Sequence, residues 1–395
     1  MRICHVWHNF YPTEFGGVER YILSLSNYLS EKDKNIQFLL LTDKAAYVPL
    51  TRALKIPSFQ KINSLEVYRL DPNLSSLIGG ASRRFFHRST NALDHNLTVN
   101  LFKQAAQIKG MDKVDVFHVH GIWKPLYPTI GLLLSQYFHR PLVVTLHGDS
   151  VDPKNPFAMH LKEPAILNVL KKAGVITTFS NEAFNVLNEL GLKEKSRIVP
   201  NFVDPNFFKR PESNIIGSGK RVLMITRLNK SKDPMTSIRA FAKVVKQVPD
   251  ATFDIVGYGP LYQDSNRLVH ELKLGKHVTL IGMKSDVREF LWNSDIIIGT
   301  KGSYMTTLEA WSAGLAVVAP RTGIMNQIIA DKENGLLVPP GNADQLAEVL
   351  IKIIKNKTQR TSLVRNGLKT IENHDIRKVA PIIFDLYMKE LRGIN

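Results

Sequence analysis

The chain has a single cysteine, Cys4, in 395 residues. A lone thiol excludes an internal disulfide and any cysteine-rich zinc site. No apolar run approaches the ~20 residues that a membrane span needs. The opening MRICHVWHNF carries one arginine and no long apolar core. It therefore reads as a first strand and not as a signal peptide, and the cytoplasm is the expected compartment. There is no Asp-x-Asp cluster, no low-complexity tract and no short-period repeat. Acidic residues are few beside basic ones, 35 against 52, which leaves a formal charge of +17.

A positive balance of that size fits nucleic acid, an anionic membrane surface or a merely basic solvated surface. Through residue 210 there are 26 Lys/Arg against 17 Asp/Glu, and beyond it 26 against 18, so no tail carries the charge. With the charge spread and no recognition motif visible, no nucleic-acid partner is expected. Residues 52–109 hold nine Lys/Arg against three acids and include SRRFFHR, with Arg83, Arg84 and Arg88 around Phe85 and Phe86. Cations interleaved with aromatic rings suit the anionic face of a membrane, and a solvated helix is the plainer alternative.

What is present in quantity is apolar strand. RICHVWH, IQFLLLT, DVFHVH, LVVTL, GVITTF and RIVP in the first half, and RVLMIT, TFDIVG, HVTLIG, DIIIGT, AVVAP and GLLVP in the second, alternate with helical patterns. Most lack in/out alternation, which means burial on both faces and a parallel sheet covered by helices. Val18, Tyr21, Ile22, Leu25 and Leu29 form one helical stripe; Ile238, Phe241, Ala242 and Val245 form another. The length fits two domains of roughly 200 residues. Two doubly wound α/β domains follow, with the boundary in the Pro/Gly/Ser/Asn-rich stretch 201–220: residues 1–205 joined by a late helix within 376–395, and residues 206–375.

In open parallel sheets ligands bind at the carboxyl ends of the strands, so the loops there carry the chemistry. After the first strand, Gly16 and Gly17 open a helix and let backbone approach a phosphate, although a tight turn explains the pair equally well. After LVVTL come His147 and Asp149, a histidine and a carboxylate that can bind hydroxyls or move protons; a satisfied loop histidine is the bland alternative. His118 and His120 share one face of their strand, but no nearby acid or cysteine completes a metal set, and no metal site is expected. After RVLMIT, Arg227 and Lys232 place two cations beside a helix start, as a diphosphate without a metal requires. After TFDIVG, Gly257 and Gly259 would let a flat base lie against the backbone. In KGSYMTTLE, Thr306 and Thr307 are expected to open a helix whose amides face phosphate. Glu309, a turn in, suits the paired hydroxyls of a ribose. Taken together these loops point to a nucleotide.

The order and spacing of GGVERY, TLHGD, IVPNFVD, TRLNKSKD, VGYGP, TLEAWSAGLAVVAP and NGLLVPPGNADQLAEVL resemble the retaining glycosyltransferases of family 4, the group-1 type, over nearly the whole chain. The resemblance implies the GT-B fold, two facing Rossmann-like domains with a cleft between them. It implies a nucleotide-sugar co-substrate, by family habit UDP-linked, and no metal or other cofactor. By the family's pattern Arg227 and Lys232 grip the donor diphosphate, Glu309 the ribose, and Gly16, Gly17 and His147 face donor and acceptor. The acceptor would be a glycan or a polyprenyl- or other lipid-linked sugar in bacterial surface polysaccharide or lipopolysaccharide synthesis, at the cytoplasmic face of the inner membrane. One departure is conspicuous. The family has a glutamate eight residues before the ribose-binding one, followed by Gly-Phe-Gly; here Lys301 holds that position, with Ser303 and Tyr304 after it. Tyr258 and Gln327 likewise replace residues that are commonly acidic. An unusual sugar pocket and a catalytically inactive, nucleotide- or glycan-binding relative both fit these changes.

Overall fold

Strands whose residues are apolar on both faces need cover on both sides, and the computed structural model supplies it twice. It describes residues 1–10, 16–44, 56–71, 95–122, 125–147, 161, 163–212 and 217–393. The chain divides into one unit of Met1–Pro200 with Val379–Asn395 and a second of Asn201–Lys378. Asp149 and the SRRFFHR segment lie outside the described residues.

The first unit holds eight strands: β1 (Arg2–Val6), β2 (Gln37–Asp43), β3 (Phe59–Ile62), β4 (Leu65–Leu70), β5 (Val116–His120), β6 (Leu142–Leu146), β7 (Val175–Thr178) and β8 (Ser196–Ile198). They lie in the order β3-β4-β2-β1-β5-β6-β7-β8. Every pairing is parallel except β3 with β4. That hairpin is absent from the sequence reading. Its β4 alternates buried and half-buried residues, and β3 is a short edge strand with little buried side chain. Asn63, at φ 52, makes the tight turn between them.

Helices cover this sheet: α1 (Gly17–Lys32), α2 (His95–Ala106), α3 (Leu126–Tyr137), α4 (Pro164–Lys172) and α5 (Asn181–Glu189). Helix α1 buries Tyr21, Ile22, Leu25 and Leu29, the stripe its sequence announces. On α3, Gly131 allows close approach, since a Cβ there would come within 2.4 Å of Val119 in β5.

The second unit has β9 (Arg221–Ile225), β10 (Thr252–Val256), β11 (Val278–Gly282), β12 (Ile296–Ile298), β13 (Ala316–Pro320) and β14 (Leu336–Val338). Their order is β11-β10-β9-β12-β13-β14, all parallel. Its helices are α6 (Pro205–Phe208), α7 (Pro234–Gln247), α8 (Tyr262–Glu271), α9 (Arg288–Trp292), α10 (Tyr304–Ser312), α11 (Gly323–Ile328), α12 (Ala343–Lys355) and α13 (Lys357–Ile371). On α7 Ile238 and Phe241 are fully buried, while Ala240 and Val244 complete the stripe and Ala242 and Val245 fall at its edge. The last helix, α14 (Ile376–Arg392), belongs from Val379 onward with the first unit. Its Tyr387 is fully buried there, the hydroxyl 2.6 Å from His118 Nδ1.

Both sheets reverse direction beside their first strand, between β1 and β5 and between β9 and β12. Loops on either side of such a switch point diverge at the carboxyl edge and leave a crevice for a ligand.

Candidate functional site

In the second unit the loop after β9 runs from Thr226 to Asp233. Asn229 folds it back: its side-chain and main-chain oxygens both accept from the Lys232 amide, at 3.1 and 3.2 Å. Asp233 then takes a left-handed conformation, φ 47, and its carboxylate caps α7 by accepting from Thr236 N at 3.2 Å. That helix start is thereby satisfied from within, and Pro234 at its first position brings no amide. Arg227 is exposed and Lys232 half-buried. The Lys232 ammonium donates to the main-chain carbonyl of Lys301 at 2.5 Å, so the loops after β9 and β12 are tied together on either side of the switch point. Lower down, Thr226 and Thr300 meet through their hydroxyls at 3.2 Å.

Gly257 and Gly259 have a packing reason that the sequence did not suggest. A Cβ on Gly257, which sits at φ 145, would lie 1.8 Å from the Thr226 carbonyl oxygen; one on Gly259 would lie 2.4 Å from that of Leu228. Leu228 N also donates to Tyr258 O at 3.1 Å, and Leu261 N to Leu228 O at 2.9 Å. The two glycines admit the arginine loop itself and hold it against the strand ends. Tyr258, between them, is 58% exposed and lies 4.9 Å from the ring of Tyr262.

The helix in KGSYMTTLE begins at Tyr304, two residues earlier than Thr306 and Thr307 suggested. Ser303 at the cap turns its hydroxyl back to accept from Thr300 N at 2.9 Å, and no side chain caps the helix. The amide of Thr307 is already spent on Ser303 O at 2.9 Å. The amides ahead of it, through Thr306, precede that first intrahelical bond and carry the positive end of the helix dipole. Glu309, one and a half turns in, is 1% exposed. Lys301 and Lys232 line a single cavity of about 120 Å³, together with Asp233, Thr300, Thr322 and Asn342. It has room for a phosphate group.

In the first unit Gly16, where the sequence suggests a close approach to phosphate, lies at the start of α1. Glu19, 3% exposed, accepts from Gly16 N at 2.7 Å through one oxygen and from Trp7 Nε1 at 2.7 Å through the other. That carboxylate ties the turn into α1 to the end of β1, and Gly17 is exposed at the first helical position.

His147, just past β6, is not the solitary loop residue its motif suggests. Its Nε2 lies 3.0 Å from His120 Nδ1, and His120 Nε2 lies 2.8 Å from His5 Nδ1. Parallel register sets His5 of β1 opposite His118 of β5 and His120 opposite Thr145 of β6. His118 uses its second nitrogen on Thr145 Oγ1 at 2.6 Å, and that hydroxyl meets Thr177 at 2.6 Å. Burial pushes His5 and His147 down to about 3, and His118 and His120 well below their ordinary value. Sequence reasoning missed His5, because only strand register brings it to the others. Nitrogens of His5, His118 and His120 all lie within 4.8 Å of one another, which is a candidate metal-holding group. However, two ligands of a tetrahedral zinc stand about 3.3 Å apart. The 2.8 Å between His5 and His120 is a hydrogen bond.

Comparison with known proteins agrees with this architecture. The family described as Glycosyltransferase Family 4 matches residues 15–207, and Glycosyl transferases group 1 matches residues 206–370. The N-acetyl-alpha-D-glucosaminyl L-malate synthase of Bacillus anthracis is 26% identical over 333 residues, 76% of this chain and 85% of that one. The phosphatidyl-myo-inositol mannosyltransferase of Mycolicibacterium smegmatis is 24% identical over 69% of this chain and 70% of its own. Among solved structures, Anabaena HepE in complex with UDP-glucose superposes with a TM-score of 0.74 at 18% identity, over 98% of this chain and 100% of that one. Sucrose-phosphate synthase from Thermosynechococcus elongatus gives 0.74 at 18% identity over 99% of each. The fold is GT-B, and the chain belongs to the family-4, group-1 glycosyltransferases.

Proposed function

We propose that the protein moves a sugar from a UDP-linked donor, with retention of configuration and without a metal ion, onto a glycan or lipid-linked acceptor of a surface polysaccharide. The observation that carries this reading is the switch point of the second sheet. There two loops bring Arg227, Lys232 and Lys301 to the strand ends, ahead of an uncapped helix start and a buried glutamate. Leaving of a diphosphate builds negative charge on its bridging oxygen, and cations and helix amides fixed in advance stabilise that charge. As the bond from the sugar's anomeric carbon to phosphate breaks, the acceptor hydroxyl oxygen bonds to that carbon from the same face. Its proton passes to the departing phosphate oxygen. Glu309 accepts from the ribose hydroxyls, and His147 and Asp149 take the acceptor. HepE was solved holding UDP-glucose, which supports the choice of nucleotide.

A panel of nucleotide sugars, screened by thermal shift and by donor hydrolysis with and without chelator, tests the reading. UDP sugars should stabilise the protein and be consumed at the same rate with EDTA. Binding without consumption would mark an inactive relative, and stabilisation by no nucleotide sugar would overturn the assignment.

The excess of cations in residues 52–109 supports contact with an anionic membrane face, where a lipid-linked acceptor would lie. Among the described residues no helix is long and apolar enough to cross a membrane. Sedimentation with anionic vesicles that fades as salt rises is expected; equal binding to neutral vesicles would contradict it.

A further inference from the structure

The second unit begins at Asn201 and ends at Lys378, and the segments near its two ends are knitted together. Val203 N donates to His374 O at 2.8 Å and Ile376 N donates to Val203 O at 2.9 Å, a parallel bridge between Val203 and Asp375. His374 adds a side-chain tie, with its Nδ1 2.7 Å from Asn201 O. A carbonyl oxygen can only accept, so Nδ1 carries the proton. Burial lowers the pKa of this half-buried ring, the carbonyl partly opposing, and the imidazole is neutral at pH 7. The backbone at one end of the unit thus fixes a ring at the other.

That fixed ring meets Tyr304. The two lie edge to face, with centroids 5.7 Å apart and planes at 75°, a geometry that aromatic pairs favour. Tyr304 is 7% exposed and is the first residue of α10. The amides that lead this helix, through Thr306, are those that the proposed function gives to the donor diphosphate. Three residues ahead of Tyr304 stands Lys301, whose carbonyl holds the Lys232 ammonium. A glycine at 304, as in the family's motif, would offer no ring, so the contact is this chain's own.

We propose that His374 is a positioning residue for the donor: through Tyr304 it holds the leading turn of α10 against both ends of the second unit. Amides stabilise a departing diphosphate only when they are fixed in place beforehand, and small displacements are expensive. The tie runs both ways. If the His374–Tyr304 contact favours the donor, the bound donor must in turn favour the contact. This role rests on the diphosphate reading of the site and deepens it.

Nitrogen-15 spectra of histidine-labelled full-length protein, and calorimetric titration of UDP, test the role. Asn201 O holds the His374 Nδ1 proton, so its resonance is observable, and it should move as UDP fills the wild type. In Tyr304→Ala it should stay where it is. The Kd for UDP should rise about tenfold in His374→Ala and in Tyr304→Ala, and no further in the double variant, since both changes remove the same contact. Uridine has no phosphate and should bind all four proteins alike, an outcome that a general loosening of the fold would not give. A His374 resonance that UDP leaves unmoved in the wild type overturns the role, even if no variant folds. So do losses that add in the double variant, or losses as large with uridine as with UDP. A wild type that takes up no UDP overturns the diphosphate reading itself, and this role falls with it.

Discussion

Lys301 brings a third cation to the strand ends of the second unit, where the family places a carboxylate. Its carbonyl receives the Lys232 ammonium, and its side chain lines the same small cavity, half-buried. A charge held there needs a partner, since an unpaired buried cation is costly. Under the proposed function that partner is the donor diphosphate, which Arg227 and Lys232 are proposed to hold. Lys301→Glu should then depress turnover with every donor alike, by tenfold or more, about 1.4 kcal/mol. A loss confined to donors with an acidic sugar would assign the lysine to a sugar carboxylate, and an unchanged rate would leave it in solvent. Arg227→Ala removes a cation from the leaving group and should cost ~10²-fold in turnover. A rate near that of the wild type would contradict the diphosphate role.

At the scale of elements, α10 carries Glu309 and is held from behind. Trp311, fully buried, donates from Nε1 to Asn334 O at 3.0 Å, and α13 lies against its indole at Gly367. A Cβ on Gly367 would come within 2.3 Å of the Trp311 ring. Alanine gains up to ~1 kcal/mol in helix propensity over glycine, but overpacking a pinned ring costs about 1–3 kcal/mol. Overpacking wins, so Gly367→Ala should lower the thermal midpoint and weaken UDP binding together, by displacing α10. An unshifted midpoint in a melting experiment would show that the helices part without cost.

The same helix marks where sequence reasoning erred. Thr306 and Thr307 have the side chains of a helix start, yet Ser303 turns its hydroxyl to Thr300 and the helix begins at Tyr304. All six strands of the second half were legible, because each is an apolar run bounded by loop residues. The β3–β4 hairpin was not, because FQKI buries little and has no run to see. His5 offered no signal at all: one polar residue in an apolar strand has no period, and only pairing of β1 with β5 gives it a neighbour.

Across the whole molecule, buried neutral histidines tie stability to pH. Unfolded histidines take up protons near pH 6.5, whereas folded His5 and His147 resist until about 3. Between those values the unfolded chain holds more protons, so stability falls as the pH is lowered through that window and is flat above it. Between pH 7.5 and 5.5 the loss should be about 1.4 kcal/mol for each such ring, read from urea unfolding of the histidine-bearing unit. Equal stability at the two values would mean that these rings are protonated in the fold.

The central claim is that the second unit holds a nucleoside diphosphate at its switch point, with Lys232 on the phosphates and Glu309 on the ribose. Calorimetric titration of UDP into the full-length protein, with EDTA present, tests this most directly. One site should be filled in the wild type, with Kd raised at least tenfold in Lys232→Ala and in Glu309→Gln while both variants stay folded. No heat of binding, or the same affinity in all three proteins, would contradict it.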